Sequence, residues 1–289
     1  MRVLRILILI AFIITAGLFA WHEVQWVADR DDQPPVISAD ADEITVSVNA
    51  QNEDFLKGMT ATDERDGDVT SSLVVAAKSN FIEEGVIRVD YAAFDSHNNV
   101  STYSRTARYS DYSSPRFSSA MPFVFKKSTS YDFNFIKATD VLDGDITNKV
   151  KVIYSSLYSA TTEAPVTLEV TNSVGDIEKL DLNLRILTQQ EYGEYRPALW
   201  DYIVYTTPGK EIEPWNCISG VWRSGEYYSF EDSEFEYADI TFNAAGINYN
   251  VPGVYELIFT LEPEEDKDNP RNSSVHYGST VMYVIVRDE

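Results

Sequence analysis

Apolar and polar positions alternate with a period of two through most of the chain. Ile44, Val46 and Val48 stand between polar neighbours, as do Val150, Val152 and Tyr154, and Leu180, Leu182, Leu184 and Ile186. That period belongs to half-buried strands, which show one face to a core and the other to water. Gly, Asn, Asp and Pro interrupt the alternation about every ten residues, a spacing that predicts short strands in β-sandwiches. The exception lies at the N-terminus, where Ile6 to Trp21 is an uncharged apolar run. It predicts one hydrophobic helix over residues 1–27, preceded by Arg2 and Arg5 and followed by a linker at 28–34.

That helix has two readings, an uncleaved signal anchor and a cleaved signal peptide. Trp21 and Trp26 suit an aromatic belt, and the small residues around Thr15-Ala16-Gly17 form a poor cleavage site. With both Arg on the N-terminal side, that end is expected to stay cytoplasmic and the remainder to lie outside, anchored to a bacterial plasma membrane or secreted after cleavage. After Val286 no sorting signal or second span is readable, so a free extracytoplasmic C-terminus is expected.

The chain also repeats. Residues 62–70 read TDERDGDVT and 139–147 read TDVLDGDIT, an offset of 77 (62 to 139). At the same offset Asp95-Ser96 falls on Asn172-Ser173. Two separate motifs with one offset indicate tandem copies, here 35–110 and 111–187. Residues 188–289 form a divergent third copy: Pro252 to Phe259 repeats the turn-and-strand pattern of Gly85 to Tyr91, without the Asp-Gly-Asp loop. The expected fold is all-β, three tandem immunoglobulin-like sandwiches after one N-terminal helix.

The residues Pro35-Val36-Ile37, Thr62-Asp63, Asp66-Gly67-Asp68-Val69-Thr70 and Tyr91 to Asp95 resemble the bacterial surface protein Ig-like domain, a relative of HYR and cadherin-like modules. The third segment is similar to another variant of that pattern through Pro197-Ala198-Leu199, Pro208 to Pro214 and Pro252 to Tyr255. The second copy departs from it at Asn172 and at Ala164-Pro165. The resemblance implies an extracellular module for spacing, adhesion or ligand display, with no catalysis.

Charge narrows the partners. The chain of 289 residues carries 23 basic and 46 acidic side chains, net −23, which argues against nucleic acid because phosphates would be repelled. Arg2 and Arg5 cancel Glu23 and Asp29, so the excess belongs wholly to the part beyond the helix. Such a charge suits a solvated surface or a divalent cation. Calcium is the candidate cofactor, with Asp63, Asp66, Asp68 and Asp95 in the first copy and Asp140, Asp143 and Asp145 in the second, since it takes six to eight oxygens. Turn chemistry explains the same loops without an ion, because Asp-Gly-Asp favours tight turns.

A second candidate site is the run Glu226 to Asp239, which mixes aromatic and acidic side chains. Tyr227, Tyr228, Phe230 and Tyr237, with Trp222, either cover the third core or form a face for a protein or carbohydrate of the cell envelope or host surface. An exposed Trp among Trp200, Trp215 and Trp222 would favour carbohydrate. The polar run Pro263 to Asn272 reads as a long hairpin loop. No catalytic set is readable: His22, His97 and His276 are scattered, Cys217 reads as a small apolar residue, and there is no GxSxG elbow or phosphate loop. Adhesion or partner binding is the expected function, with a structural spacer or assembly component and an envelope lectin as alternatives.

Overall fold

A computed structural model describes residues 2–29, 31–127, 131–154, 162–263 and 276–288. The hairpin run from Glu264 to Asn272 lies outside the described residues. The chain is mostly β with one long N-terminal helix, and it divides into two compact units, Met1–Ser110 and Asp111–Glu289.

The helix spans Arg2–Asp29, and its apolar stretch Leu4–Val24 covers 21 residues at a mean hydropathy of 2.3. At about 1.5 Å per residue such a stretch reaches roughly 30 Å, the thickness of a bilayer's hydrocarbon core. None of it is buried against the rest of the protein, so it is not a core helix of the sandwiches. Thr15 Oγ1 donates to the carbonyls of Ala11 and Phe12, both at 2.9 Å, which hides its polar hydroxyl inside the helix.

In the first unit the chain divides its opening strands between two sheets. Val36–Ala39 pairs with Met59–Asp63, which pairs with the short Gly67–Asp68. Glu43–Val46 runs parallel to Val100–Tyr109, which continues antiparallel through Val86–Phe94 to Val74–Glu83. Burial alternates along Met59–Asp63 as the sequence pattern requires. Both sheets contribute to one core: Ile37, Met59 and Ala61 from the first meet Val46, Ile87, Val89, Tyr91 and Ala107 from the second. Arg105 is buried at its edge. It donates to the carbonyls of Phe55 at 2.7 Å and Lys57 at 2.6 Å and to Tyr91 Oη at 3.0 Å, holding the 52–58 connection against the sheet.

The second unit uses the same strand division twice. Arg116–Ser119 joins a small sheet and Val124–Lys126 runs parallel to Ile177–Leu187. Arg196–Leu199 then joins another small sheet and Ile203–Thr206 runs parallel to Ser279–Val286. The opening strand therefore starts at 36, 116 and 196, each followed by a parallel partner of the segment's last strand. The third segment shares this topology although it lacks the loop motif.

Residues 111–187 and 188–289 contribute to one continuous hydrophobic cluster, from Phe117 and Leu182 through Tyr202 and Phe259 to Met282. Polar ties cross it. Tyr205 Oη accepts from Phe117 N at 2.9 Å, and Asp201 Oδ1 accepts from Ser119 N at 2.9 Å. Tyr283 Oη donates to Asn183 O at 2.6 Å and accepts from Asn183 N at 3.0 Å. Arg287 donates to the carbonyls of Ser114 and Pro115 and to Glu178.

Candidate functional site

The two Asp-Gly-Asp loops are built alike, and most of their carboxylates serve the loops themselves. Asp63 Oδ1 accepts from Arg65 N and Asp66 N, both at 2.9 Å; Asp140 Oδ1 accepts from Leu142 N and Asp143 N at the same distances. Gly67 and Gly144 follow at φ of 76° and 71°, a region that favours glycine and explains why it sits between the aspartates. Asp68 caps Thr70 N and Asp145 caps Thr147 N, each at 2.9 Å. The Thr70 and Thr147 hydroxyls in turn accept from Ala61 N and Ala138 N at 3.1 Å. Asp66 Oδ2 accepts from Ser96 N and Asp143 Oδ2 from Ser173 N, both at 2.7 Å, tying each loop to the one after the sheet's long strand.

These bonds show in the electrostatics. The Ser96 backbone and hydroxyl donors hold the Asp66 carboxyl below its ordinary value, and Thr70 does the same for Asp68 and Thr147 for Asp145. At Asp143 burial pushes upward, but donors from Ser173 and Lys149 outweigh it.

Asp66 and Asp68, committed to these donors, are not among the described carboxylates whose oxygens gather with those of Asp63 and Asp95. The residue that does is Asp31, in the linker ahead of the first strand. One carboxylate oxygen from each of Asp31, Asp63 and Asp95 lies within 4.8 Å of the other two. Asp63 and Asp95 are both 7% exposed. Asp95 Oδ1 accepts from His97 N and Asn99 N at 2.8 Å, and its Oδ2 accepts from Asn99 Nδ2 at 2.7 Å. Burial acts to raise the Asp95 pKa, yet those Asn99 and His97 donors outweigh it and keep the carboxyl below its ordinary value. Asn99 Nδ2 also donates to Asp31 O at 2.9 Å, which fixes the linker beside the loops. Asp63 Oδ2 and Asp31 Oδ2 are shielded from solvent and receive no hydrogen bond from the described residues. Three like charges at this spacing repel one another.

The second copy closes the equivalent place without such repulsion. Asn172 stands where the first copy has Asp95, and its Nδ2 donates to Asp140 Oδ2 at 3.1 Å and to Tyr112 Oη at 3.0 Å. Tyr112 donates onward to Asp176 at 2.6 Å, and burial together with that bond pushes its phenol far up. Asp140, Asp143 and Asp145 are thus all held by protein donors.

The aromatic segment of the third sandwich divides. Phe235, within the run, is core at 1% exposure, packed on Tyr195 and Tyr277. Phe230 and Tyr237 lie against each other at 4.3 Å, with Tyr237 exposed. Tyr227 lies edge-on to Trp222 at 5.8 Å and donates to Ser219 O at 2.8 Å. It crosses the strand at Gly220, where any Cβ would come within 3.1 Å of its ring. Tyr228 donates to Glu226. The most exposed tryptophan of this sandwich is Trp200 at 68%. Its backbone N–H donates to Cys217 O at 2.9 Å, beside the Pro214–Cys217 turn that carries Trp215, itself 46% exposed. Trp215 meets Phe242 edge-on at 5.1 Å. Cys217 is half-buried and burial pushes its thiol up, away from reactivity.

Fold and site together define a tandem all-β sandwich protein with an N-terminal apolar helix. No family model matches the chain, and no curated protein matches it. Among solved structures it is similar to the CBM51-2 and INT domains of Clostridium perfringens ZmpB in complex with GlcNAc, at 20% identity and TM-score 0.22. That alignment covers 50% of this chain and 26% of the other. It is similar to the protocadherin GammaB4 extracellular domain at 11% identity and TM-score 0.19, over 89% of this chain and 50% of that one. A third likeness, to lipoprotein BT2262 from Bacteroides thetaiotaomicron, has 10% identity and TM-score 0.20 over 86% and 98%. The chain spans about a quarter of the ZmpB fragment and half of the protocadherin. Scores this low leave the function to be argued from the chain's own residues.

Proposed function

We propose that this chain is a non-enzymatic bacterial surface protein that is tethered by its N-terminal helix and presents a recognition face on its third sandwich. The observation that carries this reading is the exposure of Trp200 and Trp215 beside Phe242. The two exposed rings lie on adjoining segments, joined by the Trp200 N to Cys217 O bond, and Trp leads the residues that anchor interfaces. A flat indole also suits the apolar face of a sugar ring, so the partner is a protein or carbohydrate of the envelope or host surface. The acidic surface supports a partner other than nucleic acid. The non-enzymatic part rests on the scatter of His22, His97 and His276 over separate elements and on the raised Cys217 thiol.

The test is retention of envelope extract on the immobilised full chain in detergent micelles, with bound protein and bound carbohydrate assayed separately. A Trp200→Ala/Trp215→Ala double variant is the comparison. Retention that falls at least tenfold in the variant supports the recognition face. Equal retention by both, or none by either, sinks it and leaves a spacer as the better account.

A further inference from the structure

We infer that Asp31, Asp63 and Asp95 form a calcium site that clamps the linker after the helix onto the first sandwich. Three oxygens within 4.8 Å of one another can share a central ion at the 2.3–2.6 Å that calcium adopts, since opposite ligands then lie roughly 4.8 Å apart. Donor chemistry selects a hard cation, because every group at the cluster is a carboxylate. Asp63 provides the second, independent observation: it is 7% exposed, its Oδ1 is committed to the Arg65 and Asp66 N–H groups, and its Oδ2 has no donor. Asp31 Oδ2 is likewise shielded and without a donor, on a part-buried residue whose Oδ1 accepts from Gln33 N. Two of the oxygens of these converging carboxylates are shielded and receive no hydrogen bond from the described residues, and the cation supplies the compensating charge.

The second copy is an internal control. Where Asp95 becomes Asn172, the amide N–H fills the role and the network closes on Tyr112 and Asp176 without an ion. Two exchanges in the repeat, Asp95 to Asn172 and Asn99 to Asp176, thus separate a cation-dependent loop pair from a cation-independent one. Asp31 lies two residues beyond the helix end at Asp29, so the ion joins the tether to the sandwich and stiffens their connection.

The test is thermal unfolding of the full chain in detergent micelles over a series of CaCl2 concentrations at constant ionic strength, with MgCl2 and EDTA arms. An affinity in the range of extracellular modules, about 10⁻⁴–10⁻³ M, is expected from a site with only three carboxylates. The first transition should rise with calcium and respond at least tenfold more weakly to magnesium. Asp31→Asn and Asp95→Asn should abolish the rise; Asp31→Asn keeps an oxygen for Gln33 N, so it leaves the fold's own hydrogen bonds in place. Asp68→Asn, at a loop carboxylate outside the cluster, should keep the full response. No calcium-dependent rise, an equal rise with magnesium, or an equal loss in Asp68→Asn would overturn the site.

Discussion

Removal of the Tyr283 hydroxyl tests whether the second and third sandwiches melt as one body. Tyr283 is 3% exposed, and its ring meets Phe123 edge-on at 5.6 Å. The hydroxyl holds both the N–H and the C=O of Asn183, a residue one hundred positions earlier on the neighbouring sandwich. Tyr283→Phe keeps the ring and its packing, so burial terms cancel between variant and wild type. What remains is an Asn183 peptide group with two lost partners. Asn183 is exposed, so water can replace the lost partners; a hydrogen bond is then worth about 0.5–1.5 kcal/mol net, and the two give roughly 1–3 kcal/mol. For a unit of this size each kcal/mol shifts Tm by about 2–4 °C, which gives a drop of roughly 2–12 °C. Calorimetry of the full chain reads the shift, and tryptophan fluorescence reports the third sandwich, since between residues 31 and 289 tryptophan occurs only at 200, 215 and 222. Hydrogen exchange at the strand Glu163–Thr171 reports the second. Both should loosen together. A shift below about 1 °C, or loss of protection in the third sandwich alone, would refute the argument that this contact couples them.

Other outcomes follow from the same geometry. Arg105→Ala leaves the Lys57 carbonyl without its donor, while Phe55 O keeps the Tyr91 hydroxyl, so the first unit should lose about 1–3 kcal/mol in urea unfolding and the second should keep its midpoint. Trp200→Ala removes a largely exposed ring and should change stability by no more than about 0.5 kcal/mol, Trp215→Ala also loses the Phe242 contact and about 0.5–1.5 kcal/mol, and the pair should abolish partner retention. Acid should weaken both sandwiches that carry the Asp-Gly-Asp loop. Asp66, Asp68, Asp143 and Asp145 are held below their ordinary 3.8, so the folded state stays ionised where the unfolded chain takes up protons. Their contribution is complete above pH 3.8 and is lost as pH falls beneath it. Circular dichroism across pH 2–6 should place the onset there, and Asp66→Asn should flatten it.

Much of the fold was legible because its signals are local. Alternation along Leu180 to Ile186 follows from side-chain direction in a strand, and the 77-residue repeat follows from turns that need Asp, Gly and Thr at fixed spacing. The same locality explains why the loops drew attention as cation sites. Their acids are conspicuous in sequence, yet Asp66, Asp68, Asp143 and Asp145 serve neighbours within a few residues or the adjacent loop. Asp31 carried no signal, because a lone acid in a polar linker looks like any solvated residue until the strand Val36–Ala39 brings it to Asp63.

By itself, then, the sequence determined the apolar helix, the β class, the tandem copies and the chemistry of the turns, all matters of composition and short-range spacing. Tertiary structure alone decided which carboxylates converge, which tryptophans remain in water, and that residues 111–289 share one hydrophobic cluster. Those depend on contacts between residues far apart in the chain, such as Asp31 with Asp95 or Asn183 with Tyr283, and on packing that assigns an aromatic such as Phe235 to the core and Trp200 to the surface. Periodicity records which face of a strand is apolar; it does not record what that face meets.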